Sequence, residues 1–238
     1  MPPTSISIVI PVHNQARYIY RAVASCYWQL GPLDEILIVD DASTDLEGGR
    51  GGVEPFLDRS TWLINERNRG VSFSRNRAIQ NSQKEWIKFL DADDVLAPFA
   101  LNCLHQAPEL PDHIQVVTGG CHRVINHRHC DFLTGAEEAL QWIRYTNPIL
   151  PSATFVRRRA LLEVGLFDER IDFEEDWDLW LKLHERFGRD AFAVTDQPIC
   201  FYWIEAQDRE IAQGKRQGLV DGLPVREYFR KRYGADPK

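Results

Sequence analysis

Short apolar runs alternate with segments of helical spacing along the first ninety residues. Four such runs, rich in Ile, Val, Leu, Trp and Phe, predict buried strands, at 5–10, 35–39, 61–64 and 85–90. The segments 16–29 and 71–81 are instead predicted to be helical. Strands that alternate with helices predict an α/β fold in one domain, with a doubly wound, mostly parallel sheet flanked by helices. Ligands of such sheets bind beyond the carboxyl ends of the strands.

The hydrophobic pattern loosens after residue 97. Helices are predicted from about 98, over 157–164 and over 174–187, and strands at 115–118, 191–194 and 199–203, with a polar stretch up to about 131. The glycine run at 47–52 lacks the Lys-Ser/Thr ending of a phosphate loop, so we interpret it as a flexible connection.

Composition narrows the class of protein. The chain has 238 residues, 44% of them hydrophobic, enough for one substantial core. Its net charge of −7 argues against nucleic acid as a partner. The start lacks a basic leader region, and no apolar run approaches the roughly 20 residues of a membrane span, which favours a cytoplasmic protein without an integral membrane segment. Five scattered cysteines are more typical of reduced thiols than of a disulfide framework.

Acidic residues follow two of the predicted strands. Asp40 and Asp41 end one strand, and Asp91-Ala-Asp-Asp94 ends another, so several carboxylates are expected at one sheet edge. Alternation along an extended chain lets Asp91 and Asp93 project to one side while Asp94 points elsewhere. Carboxylate oxygens suit Mg²⁺ or Mn²⁺, with a diphosphate completing the coordination shell. The alternative is a polar turn that caps the helix near residue 98.

Five motifs occur in order along the chain: Ser7-Ile-Val-Ile-Pro-Val-His-Asn14, Ile38-Val-Asp-Asp-Ala-Ser-Thr-Asp45, Asn68-Arg-Gly-Val-Ser-Phe-Ser-Arg-Asn76, Phe89-Leu-Asp-Ala-Asp-Asp94 and Glu175-Asp-Trp-Asp-Leu-Trp-Leu-Lys-Leu183. Together they resemble the family 2 glycosyltransferases of the GT-A fold, over about residues 5–190. Five ordered motifs are far more specific than any single one.

The resemblance implies a nucleotide pocket at the first two strand ends. Pro11, Val12 and Asn14 would line it, and Asp40 would accept the imide N–H of a base such as uracil, which points to a UDP-sugar. From the residues alone, Asn14 could instead cap the following helix, and Asp40 could be a turn acid.

The resemblance also implies a metal and diphosphate site. Asp93 would ligate Mn²⁺ or Mg²⁺ in a DXD motif, Asp91 would hold the ribose or assist the metal, and Arg75 would face Asp91 and the nucleotide. A surface charge on a helix is the alternative for Arg75. Many relatives grip the diphosphate with a Tyr-Arg-x-His segment, whereas this chain has Phe-Tyr-Trp-Ile-Glu at 201–205, which leaves Arg209, Lys215 or Arg216 as substitutes.

The motif that begins at Glu175 would supply the catalytic base. Consecutive helical residues point about 100° apart, so Asp176 shares its face with Leu179, Trp180, Leu183 and Phe187 and begins the buried stripe. Partial desolvation there raises proton affinity, so we predict Asp176 as the general base. Glu175 has the spacing of a capping box with Asp172. The alternative for Asp176 is a salt bridge to one of Arg157–Arg159.

The expected reaction is therefore an inverting, metal-assisted transfer of a sugar to a hydroxyl of a saccharide or lipid-linked saccharide, in polysaccharide or cell-envelope biosynthesis. Residues 1–97 would bind the nucleotide sugar, 98–205 the acceptor, and 206–238 would form a helical tail. A homodimer and peripheral association with the inner face of the membrane both remain open.

Two other functions share parts of this pattern, and a separate metal site is a further candidate. A nucleotidyltransferase lacks support because no glycine-rich loop with a basic pair follows the first strand. A non-catalytic nucleotide-sugar binding module would keep Asp40 and Asp93 but need no base. A zinc site within 121–130, from Cys121, His122, His127, His129 and Cys130, has a non-standard spacing, and a His-rich loop beside two buried thiols is its alternative.

Overall fold

The computed structural model describes residues 4–46, 52–106, 110–125, 128–133, 140–204, 219–220 and 223–234. The strands in these ranges are β1 (Ile6–Val12), β2 (Glu35–Asp40), β3 (Ser60–Ile64), β4 (Trp86–Phe89), β5 (Val95–Leu96), β6 (Val116–Ile125), β7 (Arg128–Leu133), β8 (Thr154–Arg157), β9 (Phe192–Ile204), β10 (Leu219–Val220) and β11 (Leu223–Pro224). The helices are α1 (Ala16–Tyr27), α2 (Val71–Asn81), α3 (Asn102–His105), α4 (Arg158–Glu163), α5 (Glu175–Phe187) and α6 (Val225–Tyr233).

One large sheet organises the fold. Its strand order is β3-β2-β1-β4-β8-β6-β9-β5, with β7 paired to β6 outside this path. β3, β2, β1 and β4 are parallel, as are β6 and β9, whereas β8 runs antiparallel to both β4 and β6 and joins the two parallel parts. The predicted α/β architecture with a mostly parallel sheet is confirmed.

The central strand β1 explains why both faces of the sheet are covered. All seven of its residues are buried. Ile6, Ile8 and Ile10 belong to one apolar core, which also contains the buried face of α1. Val9 belongs to a second core with residues of α2, α4 and α5. Alternation of side chains along the strand therefore builds a layer of helices on each face, and the loops after the parallel strands gather at one edge.

Two strands extend beyond their predicted limits. Pro11 does not end β1: Pro11 pairs with Val39 and Val12 with Asp40, so β1 reaches the sheet edge two residues later than predicted. The two predicted strands after residue 190 form one strand, β9. Its pairing with β6 shifts register between Gly119 and Gly120, and the polar residues 195–198 lie at this shift without ending the strand. The polar stretch before residue 131 forms part of the β6–β7 hairpin. Residues 47–51 of the glycine run lie outside the described ranges.

Helix α6 packs against α5. Trp177 and Phe229 contact each other edge to face at 5.0 Å, within a third apolar cluster that also contains Leu181 and Tyr233. Asp178 is fully buried between the two helices and pairs with Lys182 at 2.7 Å. No helix in the described part of the chain is long and apolar enough to span a bilayer.

Candidate active site

The carboxyl ends of β1, β2 and β4 border a cleft with a volume of about 740 Å³. The sequence predicts nine site residues, and seven of them line this cleft: Pro11, Val12, Asn14, Arg75, Asp91, Asp93 and Glu175. Asp40 and Asp176 are outside the lining. The parallel register explains the grouping, since Val12 at the end of β1 pairs with Asp40 at the end of β2, and Leu90 after β4 donates its backbone N–H to Val9.

Asn14 joins two loops of the cleft. Its backbone is left-handed (φ 52°), and its side-chain oxygen accepts hydrogen bonds from the backbone N–H of Thr44 at 2.8 Å and from the Thr44 hydroxyl at 3.2 Å. The backbone N–H of Asn14 donates to Ser43 Oγ. The residue before α1 is Gln15, whose side chain makes no cap, and Asp45 Oδ2 accepts the backbone N–H of Ala16 at 3.0 Å. Asn14 therefore fixes the loop after β2 instead of capping α1.

The adjacent acids Asp40 and Asp41 have different surroundings. Asp40 is 7% exposed, and its Oδ1 accepts the backbone N–H of Ser43 at 2.9 Å, the contact expected of a turn acid. The Asp41 carboxylate accepts hydrogen bonds from Asn65 Nδ2 and from the backbone N–H groups of Arg69 and Gly70. Asp41 thereby holds the loop before α2 against the cleft, a role that sequence reasoning missed because it selected the other acid of the pair.

Arg75 is a buried cation between two carboxylates. Its side chain is 3% exposed, and its guanidinium donates to Asp91 Oδ1 and to Glu175 Oε1, each at 2.7 Å. Burial alone would favour the neutral form, but the charges of Asp91 and Glu175 hold the pKa of Arg75 above its ordinary value. The alternative of a surface helix charge is wrong. Arg75 links β4, α2 and α5 at one point of the cleft.

Asp176 lies at the start of α5, directly after Glu175. Its Oδ2 accepts a hydrogen bond from Asn147 Nδ2 at 2.9 Å. Burial, together with the neighbouring charge of Glu175, raises the pKa of Asp176 to about 7. Arg157, which was a candidate salt-bridge partner for Asp176, instead pairs with Glu85 and donates to the Ile114 carbonyl. Asp176 is half-buried, and its Oδ1 accepts the backbone N–H of Trp177 at 2.9 Å, so each carboxylate oxygen has a polar partner.

The expected capping box at the start of α5 is wrong. The residue before the helix is Glu174, in left-handed geometry (φ 61°), and no side chain caps the helix. Glu175 turns to Arg75, with its side chain only 14% exposed. A buried counter-charge on another helix outweighs the local cap, and the sequence spacing carries no information about Arg75.

The acidic turn after β4 suits a divalent cation whose coordination shell is completed by a bound ligand. Asp94 points away from the cleft, as predicted: it is 1% exposed and accepts the backbone N–H of Trp203 at 2.9 Å. Burial and the charges of Asp93 and Asp91 raise the pKa of Asp94 well above its usual range, which reflects the closeness of the three acids. Arg75 contacts Oδ1 of Asp91, so Asp91 keeps its Oδ2 as a possible metal ligand.

No group of three or more His, Cys, Asp or Glu side chains in the described ranges is arranged to hold a metal by itself. Mg²⁺ is commonly held by one or two carboxylates together with substrate phosphates. The pair Asp91 and Asp93 fits that kind of site, which a diphosphate would complete. The residues that were candidates to replace the diphosphate grip, Arg209, Lys215 and Arg216, lie outside the described residues.

The proposed zinc ligands are only partly described. The His122 ring packs against Phe132 at 4.7 Å and Phe201 at 5.1 Å, as a member of an aromatic group. Cys121 is buried on β6. His127 and the side chains of His129 and Cys130 lie outside the described residues.

Two further residues, Lys88 and Ser152, stabilise the backbone of the acidic turn. Lys88 is fully buried on β4 and donates to the carbonyls of Phe89 at 2.6 Å and Ser152 at 2.5 Å. Ser152 Oγ in turn accepts the backbone N–H of Asp91 at 3.1 Å. Lys88 could have been identified from the sequence, because it is a lysine in the middle of an apolar strand. Nothing in the sequence marks Ser152 or Asn147, whose partners are distant along the chain.

Comparison with protein families finds that the model of glycosyl transferase family 2 matches residues 7–165. Among curated proteins, an uncharacterized glycosyltransferase of Rickettsia conorii is 27% identical over 191 residues, which cover 76% of this chain and 31% of that protein. The putative teichuronic acid biosynthesis glycosyltransferase TuaG of Bacillus subtilis is 35% identical over 92 residues, 37% of this chain and 36% of TuaG. The chain thus spans about a third of the length of these relatives.

Solved structures are similar in fold. Residues 1–349 of S. aureus TarS, in complex with UDP-GlcNAc, superpose with a TM-score of 0.66 at 18% identity, covering 96% of this chain and 74% of TarS 1–349. The mannosyltransferase PcManGT of Pyrobaculum calidifontis, in complex with GDP-Man and Mn²⁺, has a TM-score of 0.66 at 19% identity, with 93% of this chain and 63% of that chain covered. The predicted GT-A fold is confirmed.

Proposed function

Because this chain belongs to glycosyl transferase family 2, we propose that it transfers a sugar from a nucleoside diphosphate carrier to an acceptor hydroxyl. One observation carries the proposal: acids from β4 and α5 meet at one cleft, where Arg75 joins Asp91 to Glu175 and Asp93 forms part of the wall. Asp176 adjoins this group, with a pKa raised to about 7 by burial and by the charge of Glu175.

The proposed reaction is a single displacement. Asp176 takes the proton of the acceptor hydroxyl while that oxygen forms a bond to the anomeric carbon of the donor. The bond from this carbon to the diphosphate breaks on the opposite face, so the configuration inverts. A base with a pKa near 7 suits this step, because it is charged at neutral pH and still binds a proton well. Arg75 keeps Asp91 and Glu175 in place beside it.

Asp93 and Asp91 are the proposed ligands of Mn²⁺ or Mg²⁺. Such an ion, when bound, neutralises charge that develops on the leaving diphosphate. PcManGT was solved with Mn²⁺, and that enzyme shares the fold. Asn14, Pro11 and Val12 line the neighbouring part of the cleft, which is the proposed place of the nucleotide.

The proposed acceptor is a saccharide or lipid-linked saccharide of a cell-envelope polymer. TuaG is named for teichuronic acid biosynthesis, and it shares 35% identity with a part of this chain. TarS in complex with UDP-GlcNAc supports a uridine carrier as the first donor to test.

Product analysis tests the reaction class. Incubation with a panel of UDP-, GDP- and dTDP-sugars, Mn²⁺ and saccharide acceptors should release a nucleoside diphosphate, detected by chromatography, together with a lengthened saccharide. In a parallel incubation with nucleoside triphosphates and sugar phosphates, a nucleotidyltransferase would release pyrophosphate, and a binding module would release neither product in either assay. Either result would end the proposal.

Metal removal should weaken nucleotide binding. With EDTA, or with Asp93→Ala in Mn²⁺, we expect the Kd for UDP to rise by about tenfold or more, about 1.4 kcal/mol, because the diphosphate would then face Asp91 and Asp93 without a counter-charge. Titration calorimetry measures it. Asp112→Ala is the matched control, since it removes the same charge from a side chain that is 95% exposed and outside the cleft lining. Unchanged affinity in both EDTA and Asp93→Ala would refute the metal assignment.

The base of the nucleotide should matter through Asp40. Uracil, thymine and guanine carry a ring N–H that a carboxylate can accept, whereas adenine and cytosine do not. We expect UDP to bind about tenfold more tightly than CDP or ADP, the scale of one hydrogen bond to a charged group. Competition binding measures this ratio.

Asp40→Asn should reduce that preference and leave the fold intact, because the asparagine oxygen can still accept the Ser43 backbone N–H that Asp40 accepts now. Preference for CDP or ADP in the wild-type protein would remove the role proposed for Asp40.

A further inference from the structure

Two large aromatic side chains are exposed on the turn that precedes Asn147, the side-chain partner of Asp176. Trp142 is 50% exposed and Tyr145 is 38% exposed, and their ring centroids lie 5.9 Å apart in an edge-to-face arrangement. The backbone N–H groups of Tyr145 and Thr146 both donate to the Trp142 carbonyl, so Trp142 and Tyr145 share one face of a helical turn. Two adjacent exposed rings offer a flat apolar surface on which a ligand can stack.

This turn is anchored to the first turn of α5. Ile143, between the two rings in sequence, is 1% exposed, and its carbonyl accepts the indole N–H of Trp177 at 2.6 Å. Asn147, just beyond the turn, donates to Asp176. The rings are therefore displayed by a backbone that tertiary contacts hold in place, which pre-organises the surface for a ligand.

The Asn147 contact also joins the turn that carries the rings to the proposed base. Tyr145 is two residues from Asn147, and a chain of two residues spans at most about 7 Å. Neither Trp142 nor Tyr145 lines the cleft proposed for the nucleotide. The turn that carries the two rings is thus joined to Asp176 through Asn147, and the rings are outside the donor site, where an acceptor longer than one sugar would extend.

The chemistry of the surface favours a saccharide. The apolar face of a pyranose ring stacks on indole and phenol rings, and Thr146 and Asn147 add exposed polar groups next to them. Two partly exposed rings are too small for a second copy of the chain, because a stable interface needs about 800 Å² from each partner. A membrane-binding helix would need a long apolar face and free basic residues, whereas Arg144 in this turn bonds the Tyr233 carbonyl and lies 3.9 Å from Glu185.

We propose that Trp142 and Tyr145 form a stacking platform for a sugar residue of the acceptor, which makes a saccharide of at least two residues the substrate class. This assignment rests on the proposed function for its role in catalysis, but the platform is a binding site in its own right and can be tested without turnover.

Fluorine NMR tests the platform directly. The whole chain is labelled with 5-fluorotryptophan in the presence of UDP and Mn²⁺, and the Trp142 resonance is assigned from its loss in Trp142→Phe. Maltose, cellobiose, lactose and N,N′-diacetylchitobiose are then titrated. We expect at least one disaccharide to shift the Trp142 resonance and to leave that of Trp28 unmoved, since Trp28 is 79% exposed directly after α1, in a different part of the fold. If no disaccharide moves the Trp142 resonance, the platform is refuted.

Kinetics separate the platform from the reaction itself. Trp142→Ala is expected to raise the acceptor KM about tenfold, the scale of one lost aromatic stacking contact, without changing the donor KM or the slow hydrolysis of donor by water. Trp142→Phe should restore most of the loss, and Trp28→Ala should have no effect. Transfer with an unchanged acceptor KM in the Trp142→Ala, Tyr145→Ala double variant would overturn the platform and leave the proposed function standing. A disaccharide that shifts Trp142 in a protein without transferase activity would support the platform and count against the proposed function.

Discussion

Replacing Asp176 by asparagine is expected to lower turnover by about 10²-fold or more, the usual scale for losing a general base. The affinity for UDP should stay within about twofold, because the Asp176 carboxylate bonds Asn147 and the Trp177 backbone, and neither of these residues lines the cleft proposed for the nucleotide. Asparagine keeps one oxygen, which can still accept the Trp177 backbone N–H, and the Asn147 side chain can turn its own oxygen toward the new amide, so the fold should persist. Steady-state kinetics with the identified donor and acceptor measures the effect.

The pH profile gives a second readout of the same change. Burial and the charge of Glu175 raise the pKa of Asp176 to about 7, and the base acts only in its charged form. Turnover should therefore rise with pH up to about 7 and level off above it, a limb that Asp176→Asn should lack.

Glu175→Gln is the matched comparison, since it makes the same chemical change at the next residue. It should lower stability more than turnover, because Glu175 pairs with buried Arg75. If Asp176→Asn keeps turnover within a few-fold of the wild type, another residue is the base.

Replacing Arg75 by methionine is expected to lower the free energy of unfolding by about 3 kcal/mol, because removing one member of a buried ion pair leaves the other charges uncompensated. Asp91 and Glu175 would both lose their cation, and the charge of Glu175 would act on Asp176 without it. The figure is at the low end of the usual range because the Asp91 side chain is 34% exposed. Urea denaturation followed by circular dichroism measures this loss.

Arg77→Met serves as the control for Arg75→Met. Arg77 lies on the same helix but donates to the Ile64 carbonyl and to the Asn65 amide oxygen, so no carboxylate depends on it in these contacts. It should cost less than about 1 kcal/mol. Adding Glu175→Gln to Arg75→Met should recover part of the lost stability, since one uncompensated charge disappears. Equal losses for Arg75→Met and Arg77→Met would show that Arg75 has no special role in this cluster.

Of the seven predicted site residues that line the cleft, the five at the ends of β1 and β4 meet there for a simple reason. Parallel strands end at the same edge, so acids and amides that follow buried runs in the sequence must meet there. That reasoning identifies Asp91 and Asp93 without any knowledge of their contacts. It does not separate Asp40 from Asp41, because adjacent residues at a strand end are equally close to the edge and only the loops decide which one bonds which partner.

The local hydrophobic pattern was sufficient to predict an element wherever the conformation of a segment depends on that segment alone. The helix at 71–81 was predicted with its observed limits, and the first four strands were predicted to within about two residues, because apolar runs and helical spacing are properties of a single stretch of chain. Tertiary structure decided the rest. Pro11 stays in β1 because β2 pairs with it, and Glu175 leaves its expected cap because Arg75, a hundred residues earlier in the chain, offers a buried counter-charge. Asn147 reaches Asp176, and Ser152 reaches the backbone of Asp91, only after the chain has folded. Such contacts depend on which distant groups arrive at the same place, and neither spacing nor composition encodes that in a single sequence.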